Sequence, residues 1–262
     1  MDKVTITAIC PTFNSSNFIE ETLSSIISQE RLPDELIISD DGSTDNTLDI
    51  IKNFFKNNCE GIKFIILENS HKGPGASRNS AIRVCTSEWI AFIDSDDTWE
   101  PMKLKNLEEH IIKDRKLNFL CHDEHWIKNG NIVKSVRYGT HYNTRRKLLN
   151  QLYIKNMFST SAVICRKDLL IDLGLFDEEL LSSQDYELWL RLSPNINLKF
   201  IREFYGCYII RKGNITSGNK LKRFKNEIFI AYKYRLSVGN ILFALKILKI
   251  FLSYSKQIIL KQ

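Results

Sequence analysis

Along the first hundred residues, short apolar runs alternate with segments whose apolar positions recur at helical spacing. Val4–Cys10, Leu36–Ile38, Ile62–Leu67 and Trp89–Ile93 are apolar runs of strand length. Between them, Phe18, Leu23, Ile26 and Ile27 form one helical face, which Asn17 is placed to cap and which extends to about Gln29. Leu48, Ile51, Phe54 and Phe55 form a second face after Thr44 or Asp45, and Pro74-Gly75 opens a third helix reaching about Cys85. Strands separated by helices in this way predict a parallel sheet built of right-handed crossovers.

The second half is less regular. Pro101–Lys113 reads as a helix, and Phe119–Trp126 and Ile132–Val136 flank Asn129-Gly130, a hairpin turn signal. Ser161–Cys165 suits a strand, Lys167–Leu173 and Asp185–Leu192 suit helices, and Phe200–Arg211 holds one or two more strands. Beyond Lys220 two helices are expected, broken near Gly239. No repeat or low-complexity linker interrupts the chain, so the expected division is a domain over 1–217 and a helical tail over 218–262.

Composition narrows the class. The 262 residues are 43% hydrophobic and 26% charged, ordinary for a globular protein with a sizeable core. Six cysteines are scattered without a Cys-x-x-Cys pair, which speaks against zinc or redox motifs and for small buried thiols in a reducing compartment. The first strand begins at Val4, leaving no room for a signal peptide, and no run of apolar residues is long enough to span a bilayer. A cytoplasmic protein is expected. Its net charge of +6 is uneven: residues 220–262 carry ten basic side chains against one acid, which leaves the rest at −3. A basic tail on a mildly acidic body calls for an anionic surface as partner.

The chemistry concentrates at strand ends. Asp94-Ser95-Asp96-Asp97 follows the Trp89–Ile93 run directly. Three carboxylates within four positions raise one another's pKa, and a divalent cation that also grips a diphosphate relieves that repulsion. The same residues also suit a polar turn leading into a helix N-cap. Two other strands end in Pro11-Thr12-Phe13-Asn14 and Asp40-Asp41-Gly42-Ser43. In a parallel sheet all three ends share one edge, where α/β proteins bind ligands. Phe13 offers either a stacking face or core packing, Asp40 a ligand or a turn anchor, and Gly42 backbone freedom.

These segments, with Gly75-Ala76-Ser77-Arg78-Asn79, Gly174-Leu175-Phe176-Asp177 and Gln184-Asp185-Tyr186-Glu187-Leu188-Trp189, stand in an order that resembles family 2 glycosyltransferases of the GT-A fold, over about residues 3–217. The resemblance implies a Rossmann-like, mostly parallel α/β sheet flanked by helices, here with a C-terminal helical basic appendage. It implies a UDP-sugar donor and a Mn²⁺ or Mg²⁺ cofactor. Carried over position by position, Asp41 reads the uracil ring, and Pro11, Thr12, Phe13 and Asn14 line the nucleotide site. Arg78 contacts the nucleotide, Asp94 supports the turn or the nucleoside, Asp96 approaches the ribose or metal, and Asp97 binds the metal. Asp185 is the general base, with a helix N-cap as its structural alternative, and Trp189 either stacks on an acceptor sugar or is simply buried.

The chain departs from the family pattern twice. Gln184 stands where relatives have Glu, and Arg211 where they often have His. Arginine cannot ligate a cation but pairs with phosphate, so Arg211 or Lys212 is expected as a charge clamp. His71, His110, His122, His125 and His141 lack metal-ligand spacing and read as ordinary polar side chains. The implied reaction is a single displacement with inversion, from a UDP-hexose of glucose or galactose type to a saccharide hydroxyl. Ile241–Leu252 is apolar with two lysines and follows a basic stretch, which suits an interfacial helix better than nucleic acid, or else a helix packed on the domain or on a dimer partner. A membrane-facing tail agrees with an acceptor such as N-acetylglucosamine on undecaprenyl diphosphate, in O-antigen or surface polysaccharide synthesis, at the inner face of the bacterial membrane. The alternative is a nucleotide-sugar-binding module without transfer activity.

Overall fold

Three strands of β-branched residues, β1 (Ile6–Thr12), β2 (Glu35–Asp40) and β3 (Lys63–Glu68), run parallel with β4 (Trp89–Phe92) in the order β3-β2-β1-β4. The connections are α1 (Ile19–Ile27), α2 (Thr47–Asn58) and α3 (Pro74–Val84). The computed structural model describes residues 3–58, 61–180, 182–211 and 220–259. Every residue of β1, β2 and β4 is buried, as befits central strands covered on both faces. The register aligns Thr12 with Asp40 and Asp40 with Glu68, so the strands end together on one edge.

The parallel arrangement stops at β4. β5 (Thr98–Trp99) and α4 (Lys103–Lys113) follow, then the hairpin of β6 (Phe119–Lys128) and β7 (Asn131–Val136). Asn129 and Gly130 both take positive φ, as a tight two-residue hairpin turn requires. After α5 (Leu148–Ile154) comes β8 (Val163–Arg166), inserted antiparallel between β4 and β6. α6 (Lys167–Asp172) and α7 (Gln184–Leu192) lead to β9 (Leu198–Ile209), parallel to β6. Among the described residues the sheet is mixed, with a parallel amino-terminal half and a largely antiparallel second half.

Side chains alternate across the sheet into two cores. On one face Ala8, Cys10, Leu36 and Ile38 pack with Leu23 and Ile26 of α1 and Leu104 and Leu107 of α4. On the other, Ile9, Ile37 and Phe92 meet Ala81 and Ile82 of α3 and Leu188 and Trp189 of α7. The carboxyl-terminal helices α8 (Lys220–Lys233), α9 (Arg235–Val238) and α10 (Asn240–Ile259) join this second core through Ile230, Ala231 and Ile250. Tyr153 Oη donates to the Ala231 carbonyl (2.7 Å), and Lys233 Nζ pairs with Glu187 (2.8 Å). One side of the tail is thus packed on the body, while Leu236, Ile241, Leu245, Leu248 and Leu252 remain exposed. Residues 217 and 218, where the tail was expected to begin, lie outside the described residues.

Local chemistry differs from expectation at one helix start and agrees with it at another. Asn17 does not cap α1; the Ser15 carbonyl accepts the Phe18 and Ile19 N–H groups instead. Asp45 does serve at α2, where its Oδ1 accepts from the Thr47 N–H (3.0 Å). Cys10, Cys85, Cys121, Cys165 and Cys207 are free, buried thiols. Among the described residues no helix is long and apolar enough to cross a membrane.

Candidate active site

The ends of β1, β2 and β4 surround a cleft of about 520 Å³, closed on one side by the start of α3 and on another by the end of β9. Pro11, Thr12, Phe13 and Asn14 line it from β1, Asp41 from β2, Arg78 from α3, Asp94 and Asp96 from β4, and Arg211 from beyond β9. The sheet thus brings together residues from five separate segments. Lys212 lies outside the described residues.

Hydrogen bonds weld the loops into a rigid rim. Asp40 is a turn anchor: it accepts from Thr12 Oγ1 (2.9 Å), Ser43 Oγ (2.6 Å) and the Ser43 N–H (2.8 Å). Asn14, at φ 48°, accepts the Thr44 N–H on its side-chain oxygen (2.9 Å). Gly42 is required: its φ is 76°, and a Cβ there would meet the Asn69 carbonyl and His71 nitrogen at 3.2 Å. Asp41 is buried, and its two oxygens accept the Lys72 and Gly73 N–H groups (2.8 and 2.9 Å). That pair of bonds positions His71, whose Nδ1 lies 2.8 Å from Asp41 Oδ2. The His71 ring stacks on Phe13 with centroids 4.2 Å apart. Phe13 is 42% exposed and therefore no core residue. His71 belongs to the site although its sequence neighbourhood carries no signal; only the fold brings it against Phe13.

Opposite this aromatic wall lie the charges. Arg78 is only 4% exposed and pairs with Asp94 Oδ1 at 2.5 Å. Its Nε and Nη1 are buried without a hydrogen-bond partner. Unsatisfied guanidinium nitrogens inside a protein are costly, so they mark a place where an acceptor belongs. Asp96 receives Arg211 Nε at 2.7 Å, and the Arg211 guanidinium lies 4.1 Å from the centre of the Phe18 ring. Burial, then the neighbouring Asp94, raises the Asp96 pKa despite Arg211.

Asp97, expected to hold a metal, does not line the cleft. The chain turns at this point, with the Asp97 N–H bonded to the Asp94 carbonyl (3.0 Å), and the side chain goes inward. There it is 1% exposed and accepts from Ser161 Oγ (2.6 Å) and the Ile209 N–H (3.0 Å). Burial, then Asp94 and Asp96, pushes its pKa well up. The four-residue segment is a polar turn, as its Asp97 N–H to Asp94 carbonyl bond shows, but it caps no helix, since α4 begins later, at Lys103. Among the described residues no three metal-ligating side chains converge. Asp94 and Asp96 both line the cleft and are the ligand type a hard cation takes alongside phosphate oxygens and water, and each is paired here with an arginine.

Asp185 lies in the first turn of α7, whose N-cap is Ser183, so it is not the cap itself. It lines a neighbouring cavity rather than the cleft, half-buried, yet Arg78 and Asp94 both act on it electrostatically. Burial raises its pKa, and the Tyr186 N–H and Arg78 oppose the rise. Gln184 is buried with its Oε1 unpartnered, while Trp189 is fully buried among Phe92, Phe119, Phe158 and Phe176 and reaches neither concavity.

Comparison with known proteins gives this geometry a context. The chain is 28% identical over 230 residues to the Escherichia coli protein UDP-Glc:alpha-D-GlcNAc-diphosphoundecaprenol beta-1,3-glucosyltransferase WfgD, covering 87% of this chain and 85% of that one. It superimposes on residues 1–349 of S. aureus TarS in complex with UDP-GlcNAc with a TM-score of 0.69 at 27% identity, covering 87% of this chain and 66% of that fragment. It shares its fold with the mannosyltransferase PcManGT of Pyrobaculum calidifontis, solved with GDP-Man and Mn²⁺ (TM-score 0.68, 18% identity, 92% and 68% covered). Residues 7–174 match the family described as glycosyl transferase family 2, so the chain belongs to that family and is a glycosyltransferase.

Proposed function

We propose that this chain moves a hexose of glucose or galactose type from a UDP-sugar to a hydroxyl of a lipid-linked saccharide, with inversion, in surface polysaccharide synthesis. The observation that carries the donor half is Arg78, which lines an acidic cleft and buries a guanidinium with two unpartnered nitrogens. A diphosphate supplies acceptor oxygens for such nitrogens. The stacked Phe13–His71 pair offers a platform for the base, and Asp41 Oδ1, which accepts only the Lys72 N–H, keeps a lone pair for the uracil N–H. The name of the E. coli relative, with its UDP-Glc donor and diphosphoundecaprenol acceptor, supports the choice of substrates. So does the UDP-GlcNAc bound to TarS.

Asp94 and Asp96 are the residues we assign to the metal, since both line the cleft while the Asp97 side chain is buried away from it. Held there, a Mg²⁺ or Mn²⁺ would supply positive charge for the diphosphate leaving group. Arg78 and Arg211 contribute fixed positive charge to the same end. Asp185 accepts the proton of the acceptor hydroxyl while that oxygen bonds to the anomeric carbon and the bond from that carbon to the UDP oxygen breaks. One base without a facing nucleophile suits a single displacement, hence inversion.

The exposed apolar side chains of α9 and α10 support docking on an anionic membrane from the cytoplasmic side, where a lipid-linked acceptor is presented. The deciding assay follows UDP release with Mn²⁺, UDP-glucose or UDP-galactose, and N-acetylglucosamine on a lipid diphosphate. Turnover that Asp185→Asn abolishes supports the reading. Tight UDP binding with no turnover on any acceptor points instead to a non-catalytic nucleotide-sugar-binding module.

A further inference from the structure

A second cavity, of about 350 Å³, lies between the carboxyl end of α5, the start of α7, and the helices α8 and α10. Lys155, Arg223, Lys246 and Lys249 line it, against the carboxylates of Asp185 and Glu227. Glu227 is already engaged by Arg223 Nε (3.1 Å). Lys246 is only 7% exposed; its amine stands 4.7 Å from the centre of the Tyr186 ring. Burial, opposed by Glu227 and aided by Lys249, holds the Lys246 amine down to about 8, still cationic at neutral pH. Lys249 donates to the Ile154 carbonyl (2.8 Å), and burial and Lys155 lower its pKa too. Cations crowded into a concavity at this cost call for an anion to occupy it.

The helix that supplies two of these lysines has a second face. Lys246, Lys249 and Ser253 recur at helical spacing toward the cavity, while Leu245, Leu248 and Leu252 recur one position earlier and are exposed. A basic hollow and an apolar strip therefore run side by side along α10. Asp185 also lines the hollow, within electrostatic reach of Arg78 and Asp94.

We infer that this cavity is the subsite for the phosphate or diphosphate head of an amphiphilic acceptor. The cations hold the head, the apolar chain leaves over Leu245, Leu248 and Leu252, and the sugar is held with its hydroxyl at Asp185. The inference rests on the reading of Asp185 as the base of the donor cleft. It assigns to Lys155, Lys246 and Lys249 a part in acceptor binding and none in donor binding.

The test uses the full chain saturated with UDP, so that the donor cleft is filled, and titrates inorganic pyrophosphate calorimetrically. Pyrophosphate is expected to bind the UDP-loaded protein, and Lys246→Gln/Lys249→Gln to weaken it about tenfold or more, as loss of charged contacts implies. UDP affinity is expected to stay unchanged in that variant, which also reports an intact fold. Lys155→Gln, at the exposed rim, guards against misfolding of the buried variant and should weaken pyrophosphate in the same direction. Farnesyl diphosphate should displace pyrophosphate and bind more tightly, whereas phosphatidylglycerol vesicles should leave it in place. No binding to the UDP-loaded protein, equal binding by all the variants, or displacement by the vesicles alone overturns the assignment. If UDP fails to bind while lysine-dependent pyrophosphate binding persists, the donor reading falls and the anion site stands.

Discussion

Replacing Arg78 with methionine separates a ligand-binding guanidinium from a structural one. Met keeps the buried stem and removes the charge. Two effects on stability oppose each other. The pair with Asp94 is lost, but Asp94 is 35% exposed in its side chain, so water can take over and the cost is that of a screened pair, about 1 kcal/mol or less. Against this, two buried nitrogens without partners disappear, each a penalty of about 1–3 kcal/mol in the free protein. Stability should therefore change little, or rise. Binding should respond in the opposite way, because a charge-assisted hydrogen bond to a diphosphate is worth about 1.5–3 kcal/mol. UDP affinity should fall roughly ten- to a hundredfold on that figure. Calorimetric titration with UDP and chemical denaturation of both proteins provide the two numbers. Unchanged UDP affinity together with a loss of about 3–5 kcal/mol, the cost of breaking a truly buried ion pair, would refute the reasoning and make Arg78 a structural residue.

The other outcomes are simpler to read. Asp185→Asn should keep UDP binding and lose about 10²- to 10⁴-fold of transfer, the usual contribution of a general base. Because burial raises the Asp185 pKa and the base works ionised, transfer should fade as pH drops through a value above the ordinary aspartate range; a kcat/KM profile flat to pH 4 would argue against this. Asp96→Asn should remove most of the Mn²⁺-dependent gain in UDP affinity, whereas Asp97→Ala should chiefly cost about 1–3 kcal/mol of stability by stranding Ser161 Oγ and the Ile209 N–H. The reverse pattern in UDP titrations would return the metal to Asp97. Trp189→Ala should cost about 3–5 kcal/mol through a cavity among four phenylalanines. An acceptor KM that rises without loss of stability would show that the ring touches substrate after all.

Much of the architecture was legible in local pattern. The alternation of apolar runs and helical faces marks β1 through β4 and their helices, because central parallel strands must be apolar throughout. Asn129-Gly130 marks the hairpin because few residues tolerate the positive φ that its turn imposes. The short elements were not legible. β5 has two residues, too few for any period, and α5 is seven residues held by burial of Leu152 and Tyr153 rather than by propensity. Nor does local sequence announce that β8 slides antiparallel between β4 and β6, which is a matter of long-range pairing.

By itself, then, the sequence determined the order of elements, the acids and aromatics at strand ends, and a basic, apolar tail. Tertiary structure alone decided which of those side chains meet. It turned Asp96 to the cleft and Asp97 into the protein, stacked His71 on Phe13, sank Trp189 into the core, and set two lysines of α10 in one cavity with Asp185. The physical reason is one of range. Periodicity and turn chemistry act over a few residues and are written in the chain, whereas burial, repulsion and the partner of each polar atom depend on segments that only folding brings together.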